Sequence, residues 1–152
     1  MNPITNILVV DDEEVVRRAH LRTLRNANCH VRTVADGADA LRVLQEQPFD
    51  VVLLDLRMPG MDGMSVLRTV KARWPEAEVI VITGYPCVET AKEAIRLGAH
   101  DYLAKPLAPE EVISATSCAL EHKQWSLRRE RSAGEPDDST NDPRNRAGFT
   151  HC

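Results

Sequence analysis

Short segments rich in β-branched and other apolar residues recur along the chain. They lie at residues 7–10, 31–34, 51–54, 79–82 and 101–104. Most of them are apolar at successive positions rather than at alternate ones, which is typical of strands that are buried on both faces of a parallel sheet. The pattern therefore predicts a series of buried strands.

Segments with helical spacing of apolar residues follow each predicted strand. Residues three or four positions apart lie on one face of a helix. The predicted buried stripes are Val16, Ala19 and Leu24; Ala40, Leu41 and Leu44; Val66, Leu67 and Val70; Val88, Ala91 and Ile95; and Val112, Thr116, Ala119 and Leu120. Gly98 stands where a helix C-terminal cap is expected, and Pro109 stands where a first helical turn tolerates proline.

Strand and helix thus alternate as five βα units. Right-handed crossovers between parallel strands place helices on both faces of the sheet. We predict an α/β fold with a doubly wound parallel sheet, in which ligands bind beyond the carboxyl ends of the strands.

The composition changes near Trp125. Residues 132–148 contain only two apolar side chains, Ala133 and Ala147. Such a stretch cannot offset the entropy lost on ordering, so we predict a disordered tail over residues 132–152. Residues 123–131 are predicted to extend the last helix or to form a linker, and residues 6–122 to form one domain.

The formal net charge of −4 argues against broad electrostatic binding to nucleic acid or to acidic lipid. No apolar run is long enough to span a bilayer, and residues 1–6 lack the layout of a signal peptide. We therefore expect a cytoplasmic protein without direct contact to nucleic acid or membrane. His20, His30, His100 and His122 show no metal-ligand spacing, and we predict that they are surface or edge residues.

A concentrated set of chemical groups stands at the carboxyl ends of the predicted strands. Asp11 and Asp12 follow the first strand, Asp55 ends the third, Thr83 ends the fourth, and Lys105 follows the fifth. In a parallel sheet these carboxylates, the hydroxyl and the ammonium share one edge. Clustered carboxylates repel one another unless a cation is present, and oxygen ligands of this kind favour Mg²⁺.

A metal beside a carboxylate is suited to phosphoryl transfer, with the carboxylate of Asp55 as the nucleophile. Each residue also has a plainer interpretation. Asp11 and Asp12 are typical of a helix N-cap, Thr83 of a turn, and Lys105 of a solvated surface charge. Asp55 is harder to explain in this way, because an unpaired carboxylate at the end of a buried strand is costly. The joint placement favours the functional interpretation.

The motifs at these positions resemble the receiver domain of bacterial two-component response regulators. They are the pair Asp11-Asp12, DLRMPGMDG at 55–63, TGY at 83–85 and GAHDYLAKP at 98–106. The resemblance covers about residues 6–122 and implies a flavodoxin-like fold with strand order 2-1-3-4-5. In detail the motifs are similar to receivers of the nitrogen-regulator type.

The resemblance also implies roles for particular residues. Asp55 would be the phosphoacceptor. Asp12 and Asp55 would bind Mg²⁺ directly, Asp11 would hold it largely through water, and the backbone carbonyl of Arg57 would complete the protein ligands.

Four further residues receive roles from the same resemblance. Lys105 would contact the phosphoryl group, and Pro106 would follow it in a cis peptide. Thr83 and Tyr102 would be the switch pair, in which the hydroxyl moves toward the phosphoryl group and the aromatic ring turns inward.

The implied activity is that of a phosphoprotein switch that a sensor histidine kinase phosphorylates, not of an enzyme with an external substrate. Three outputs remain open: control of a downstream protein, a phosphorelay to a histidine phosphotransfer partner, or an associated transcription response through an output module lost from the chain. Residues 88–97, Tyr102 and residues 109–120, with a mixed-charge face that includes Arg96, are a candidate surface for an activation-dependent homodimer.

The residues two positions beyond Asp55 and Thr83 are Arg57 and Tyr85. Both are bulky and would hinder an attacking water, which predicts slow self-dephosphorylation. A Mg²⁺-dependent hydrolase with an aspartyl nucleophile is the rival interpretation. Such enzymes usually place an acid where this chain has Arg57, which argues against that rival.

Overall fold

The computed structural model describes residues 4–26 and 28–132. Strands and helices alternate through this part of the chain. They are β1 (Thr5–Val10), α1 (Glu14–Leu24), β2 (Cys29–Val34), α2 (Gly37–Glu46), β3 (Val51–Asp55), α3 (Gly63–Arg73), β4 (Glu78–Thr83), α4 (Val88–Arg96), β5 (Asp101–Ala104) and α5 (Pro109–Ser132). The predicted alternation is confirmed.

The strands form one five-stranded sheet in the order β2-β1-β3-β4-β5. Every neighbouring pair is parallel. The chain moves outward from β1 to β2 and then crosses back to β3, so β1 and β3 lie side by side where the winding reverses. Ligands of such sheets bind beyond the carboxyl ends of these two strands. The predicted flavodoxin-like order is confirmed.

Alternate residues of the central strands face opposite sides of the sheet. Leu8, Val52 and Val81 belong to a core with α2, α3 and α4, whereas Ile7 and Leu53 belong to a core with α1 and α5. Every residue of β3 and β4 is buried, as predicted, but the edge strands β2 and β5 are partly exposed.

Two predicted helix faces differ from the structure. On α1, Ala19 is exposed and the buried positions are His20 and Leu24, which lie one turn apart. The prediction of a surface position is therefore wrong for His20, whose exposed fraction is 8%. On α4 the stripe of Val88 and Ile95 faces solvent, and the small side chain of Ala94 is buried instead.

The helix ends follow local rules. The Asp62 side chain caps α3 by accepting a hydrogen bond from the Met64 backbone N–H at 3.3 Å. Gly98 has φ of +105°, a conformation that favours glycine, at the predicted C-terminal end of α4. Pro109 is the first residue of α5.

Helix α5 continues through residues 123–131 and ends at Ser132, so this stretch is helical in the structure. Ser132 is also the first residue of the predicted tail, and the remainder of that tail, residues 133–152, lies outside the described residues. Lys123 Nζ lies 2.7 Å from Asp50 Oδ1 and fastens α5 beside the start of β3. Within the described ranges, no helix has both the length and the apolar character needed to cross a bilayer.

The start of α3 packs directly against the loop that follows Asp55. A Cβ atom added at Gly63 would lie 2.5 Å from Leu56 Cα and 2.6 Å from the Leu56 carbonyl oxygen. Because these are backbone atoms, we expect Gly63→Ala to lower the free energy of unfolding by about 1–3 kcal/mol, measured by urea denaturation. Gly84→Ala is the matched control, since an added Cβ meets nothing within 4 Å. Equal unfolding midpoints for the two variants would contradict this packing.

Candidate functional site

The carboxyl edge of the sheet brings the three predicted carboxylates together. Asp11 and Asp12 follow β1, and Asp55 is the last residue of β3. Val10 pairs with Leu54 in the parallel register, so Asp11 and Asp55 come next at the same level. One carboxylate oxygen from each of the three aspartates lies within 4.8 Å of the others.

Two of these carboxylates are removed from water. Asp11 is 3% exposed and Asp55 is 4% exposed, whereas Asp12 is exposed. Burial raises the pKa of Asp55, and the charge of Asp11 acts in the same direction. The Arg57 backbone N–H, 3.1 Å from Asp55 Oδ1, and the nearby Lys105 oppose that rise. A pair of buried like charges is the arrangement that a bound cation stabilises.

The ammonium of Lys105 lies among the acidic groups. Lys105 Nζ is 2.9 Å from Asp11 Oδ2, 3.4 Å from Asp55 Oδ2 and 3.6 Å from Glu13 Oε1. Burial opposes the charged form of Lys105, but the hydrogen bond and charge of Asp11, with the charges of Asp55 and Glu13, outweigh it and raise the pKa. The Lys105 backbone N–H donates to the Thr83 carbonyl at 2.8 Å, which ties this residue to β4.

The donor set suits Mg²⁺, because it consists of carboxylate oxygens on two neighbouring strand ends. Asp11 Oδ1 accepts a hydrogen bond from the Glu13 backbone N–H at 2.9 Å, so Asp11 also orders the turn into α1. The N-cap position of α1 is Glu13, and its side chain makes no capping hydrogen bond. The Arg57 backbone N–H contacts Asp55 in the structure. The role of the Arg57 carbonyl as a Mg²⁺ ligand stays a prediction.

The two residues of the predicted switch pair lie on adjacent strands. Thr83 is 1% exposed at the end of β4, and its Oγ1 accepts a hydrogen bond from the Tyr85 backbone N–H at 3.1 Å. Tyr102, on β5, is partly buried, and its hydroxyl lies 2.6 Å from Thr90 Oγ1 of α4. The same hydroxyl accepts a hydrogen bond from the Cys87 backbone N–H at 3.3 Å. The peptide bond between Lys105 and Pro106 is cis.

Two contacts at the site were not predicted from the sequence. The Arg17 guanidinium of α1 donates to the Asp11 carbonyl at 2.8 Å, and Thr90 bonds Tyr102. Arg17 faces the strand end because it lies one turn beyond the start of α1. The sequence could have indicated this contact only if the first residue of α1 had been known. Thr90 gives no such signal, since its partner lies on another element.

A third contact covers the rim of the site. The Arg57 guanidinium stacks over the Tyr85 ring, with the guanidinium carbon 3.9 Å from the ring centroid. This cation–π contact joins the loop after Asp55 to the loop after Thr83. Tyr85 remains 66% exposed, so the pair forms an outer cover rather than part of the core.

The family model of the response regulator receiver domain matches residues 7–117. This chain belongs to that family. The receiver domain also shares sequence with longer curated regulators. It is 38% identical over 129 residues to the alginate biosynthesis transcriptional regulatory protein AlgB of Pseudomonas putida, an alignment that covers 85% of this chain and 29% of AlgB.

Two further relatives are of the nitrogen-regulator type, as the motifs indicate. The DNA-binding transcriptional regulator NtrC of Escherichia coli K12 is 37% identical over 118 residues, covering 78% of this chain and 25% of NtrC. The crystal structure of the receiver domain of NtrX from Brucella abortus superposes with a TM-score of 0.71 at 36% identity, covering 76% of this chain and 98% of that one. The chain thus spans less than a third of the AlgB and NtrC sequences and matches the NtrX receiver along almost its full length.

Proposed function

We propose that this receiver domain accepts a phosphoryl group on Asp55 from a sensor histidine kinase, in a reaction that requires Mg²⁺. The observation that carries the proposal is the environment of Asp55. Its buried carboxylate lies beside those of Asp11 and Asp12 and 3.4 Å from the ammonium of Lys105. In this role the domain is a phosphoacceptor switch and not an enzyme with an external substrate.

In the proposed reaction a carboxylate oxygen of Asp55 attacks the phosphorus of a phosphohistidine. The new O–P bond forms as the N–P bond breaks, and the electron pair of that bond returns to the imidazole of the kinase. The Arg57 N–H on Asp55 Oδ1 orients the nucleophile. Lys105 neutralises negative charge on the transferred oxygens. Mg²⁺, held by Asp11, Asp12 and Asp55, would supply further charge neutralisation.

The switch begins with Thr83 in this proposal. Its oxygen accepts the Tyr85 N–H, which leaves the hydroxyl proton to donate to a phosphoryl oxygen. A movement of Thr83 toward the phosphoryl group shifts the loop that leads into α4. Tyr102 senses that shift, because its hydroxyl bonds both Thr90 and the Cys87 N–H at the start of α4.

The proposal places the domain in the cytoplasm with a sensor histidine kinase as its phosphoryl donor. Its net charge of −4 supports the absence of direct contact with nucleic acid or membrane. The downstream output is control of a protein partner, a relay to a histidine phosphotransfer partner, or an associated transcription response. A second copy of this domain is a further candidate partner.

Phosphorylation of Asp55 can be measured directly by intact-protein mass spectrometry after incubation with acetyl phosphate. We expect the mass of one added phosphoryl group in the wild type with Mg²⁺, and its loss in Asp55→Asn or when EDTA removes the cation. Asp39→Asn, an acidic residue on α2 outside the site, is the matched control and should be labelled like the wild type. Equal labelling of Asp55→Asn and the wild type would refute the assignment.

The lifetime of the phosphorylated form depends, in our proposal, on the cover formed by Arg57 and Tyr85. The two bulky side chains stack on each other, and in this proposal they hinder the approach of an attacking water. We expect the double variant Arg57→Ala/Tyr85→Ala to lose its phosphoryl group about tenfold faster, which corresponds to about 1.4 kcal/mol of barrier. Decay is followed by mass spectrometry after removal of acetyl phosphate, with Arg42→Ala on α2 as control. An unchanged rate would count against the cover.

The homodimer proposal gains support from the solvent-facing apolar residues on α4 and α5. Val88, Ile95 and Ile113 are 69%, 51% and 47% exposed. Arg96 of the mixed-charge face is already paired with Glu93 of its own helix at 2.6 Å. Apolar contact therefore supports pairing better than charge does.

Activation-dependent pairing is tested by light scattering with Mg²⁺ and beryllofluoride, which mimics the phosphoryl group. We expect the wild type to double its molar mass and Ile95→Lys to stay monomeric. Val15→Lys is the matched control, since Val15 is 80% exposed and lies on α1, a helix that is not part of this surface. A monomeric wild type under these conditions would exclude the homodimer and leave a different protein as the partner.

A further inference from the structure

A second group of metal-ligating side chains lies at the opposite edge of the sheet from Asp55. Glu78 is the first residue of β4, His100 directly precedes β5, and His122 lies on α5. One donor atom from each lies within 4.8 Å of the others. The fold brings these side chains together from three separate elements, at the amino end of the strands.

The distances fit a tetrahedral metal ion. His122 Nδ1 lies 3.0 Å from Glu78 Oε1, and His100 Nδ1 lies 3.9 Å from Glu78 Oε2. Around tetrahedral Zn²⁺ with bonds of about 2.0–2.1 Å, neighbouring ligand atoms are about 3.4 Å apart. The observed separations lie on either side of that value, so small side-chain movements suffice to bind the ion.

Glu78 is a buried carboxylate that lies beside two imidazoles. Its side chain is 7% exposed, and its ion-pair partners among the described residues are His100 and His122 alone. A neutral imidazole is the form of histidine that binds metal.

The two lysines beside this group, Lys71 and Lys123, form hydrogen bonds or ion pairs with other residues. Lys71 Nζ donates to the carbonyls of Pro75 and Ala77 at 2.8 and 2.9 Å, and Lys123 pairs with Asp50. The positive charges of Lys71 and Lys123 weaken the attraction of Glu78, His100 and His122 for a metal ion. Neither lysine forms an ion pair with Glu78 among the described residues. The acidic Glu76 and Glu130 line the same cleft and act in the opposite sense.

The three side chains are reached from solvent through that cleft. Its volume is about 400 Å³, and Ser126 lines it together with Glu78, His100 and His122. The cleft therefore has room for a metal ion together with a water molecule as its fourth ligand.

We propose that Glu78, His100 and His122 form a site for a divalent transition metal ion, with Zn²⁺ as the preferred ion. Two imidazoles and one carboxylate suit Zn²⁺, whereas Mg²⁺ prefers the all-oxygen set at the other edge of the sheet. The bound ion joins α5 to the start of β4 and to the turn between α4 and β5. It would thereby restrain the relative movement of these elements.

The test is calorimetric titration of the full chain with ZnCl₂ in excess Mg²⁺, which saturates the aspartate cluster. We expect one Zn²⁺ per chain in the wild type and at least about tenfold weaker binding in His122→Ala. His122→Cys keeps a zinc ligand and should restore much of the affinity. His30→Ala removes an exposed histidine outside the cluster and should bind like the wild type.

The outcomes separate the proposal from its alternatives. The absence of Zn²⁺ binding by the wild type, or equal affinity in His122→Ala and the wild type, would overturn it, because the ion would then have no site or another one. The side chain of His122 is 40% exposed, so the alanine variant retains the packing of the core. His100→Gln provides an independent second variant, and unchanged zinc affinity in a folded His100→Gln chain would also overturn the site.

Discussion

The contact of the Lys105 ammonium with Asp11 and Asp55 is the interaction on which the carboxyl edge of this receiver domain depends. The parallel register of β1 and β3 places two buried carboxylates side by side, where their charges repel. Lys105 reaches them from the end of β5, across β4, and its backbone is held on Thr83. The ammonium reduces the repulsion between the carboxylates in the absence of a metal ion. The negative charge that remains favours the binding of a metal cation.

The sheet separates two sites of different chemistry. Carboxylates stand at its carboxyl edge, where oxygen ligands select a hard cation. Imidazoles and a single carboxylate stand at the amino edge, where softer donors favour zinc. Strand β4 belongs to both edges, since it begins at Glu78 and ends at Thr83. A fully buried strand is thus shared by the two regions.

The sequence was sufficient for the fold and for the aspartate cluster. Continuous apolar runs predict buried parallel strands, and such a sheet gathers the ends of its strands at one edge, so Asp11 and Asp55 could be placed together without coordinates. The interior faces of α1 and α4 were less predictable. His20 is buried and Val88 is exposed, which shows that hydrophobicity alone does not decide which side of a helix faces the sheet. The cluster of Glu78, His100 and His122 was missed, because residues far apart in sequence reveal their proximity only after folding.

Helix α5 extends well beyond the point at which Lys123 attaches it to the sheet. Lys123 is anchored to Asp50, and the helix continues from there to Ser132. At a rise of about 1.5 Å per residue the portion beyond Lys123 is about 13 Å long. A tilt of about 10° at the anchored end would therefore carry the tip sideways by about 2 Å. Small rearrangements at the sheet would thus be geometrically amplified at the far end of the helix, in a direction set by the anchor.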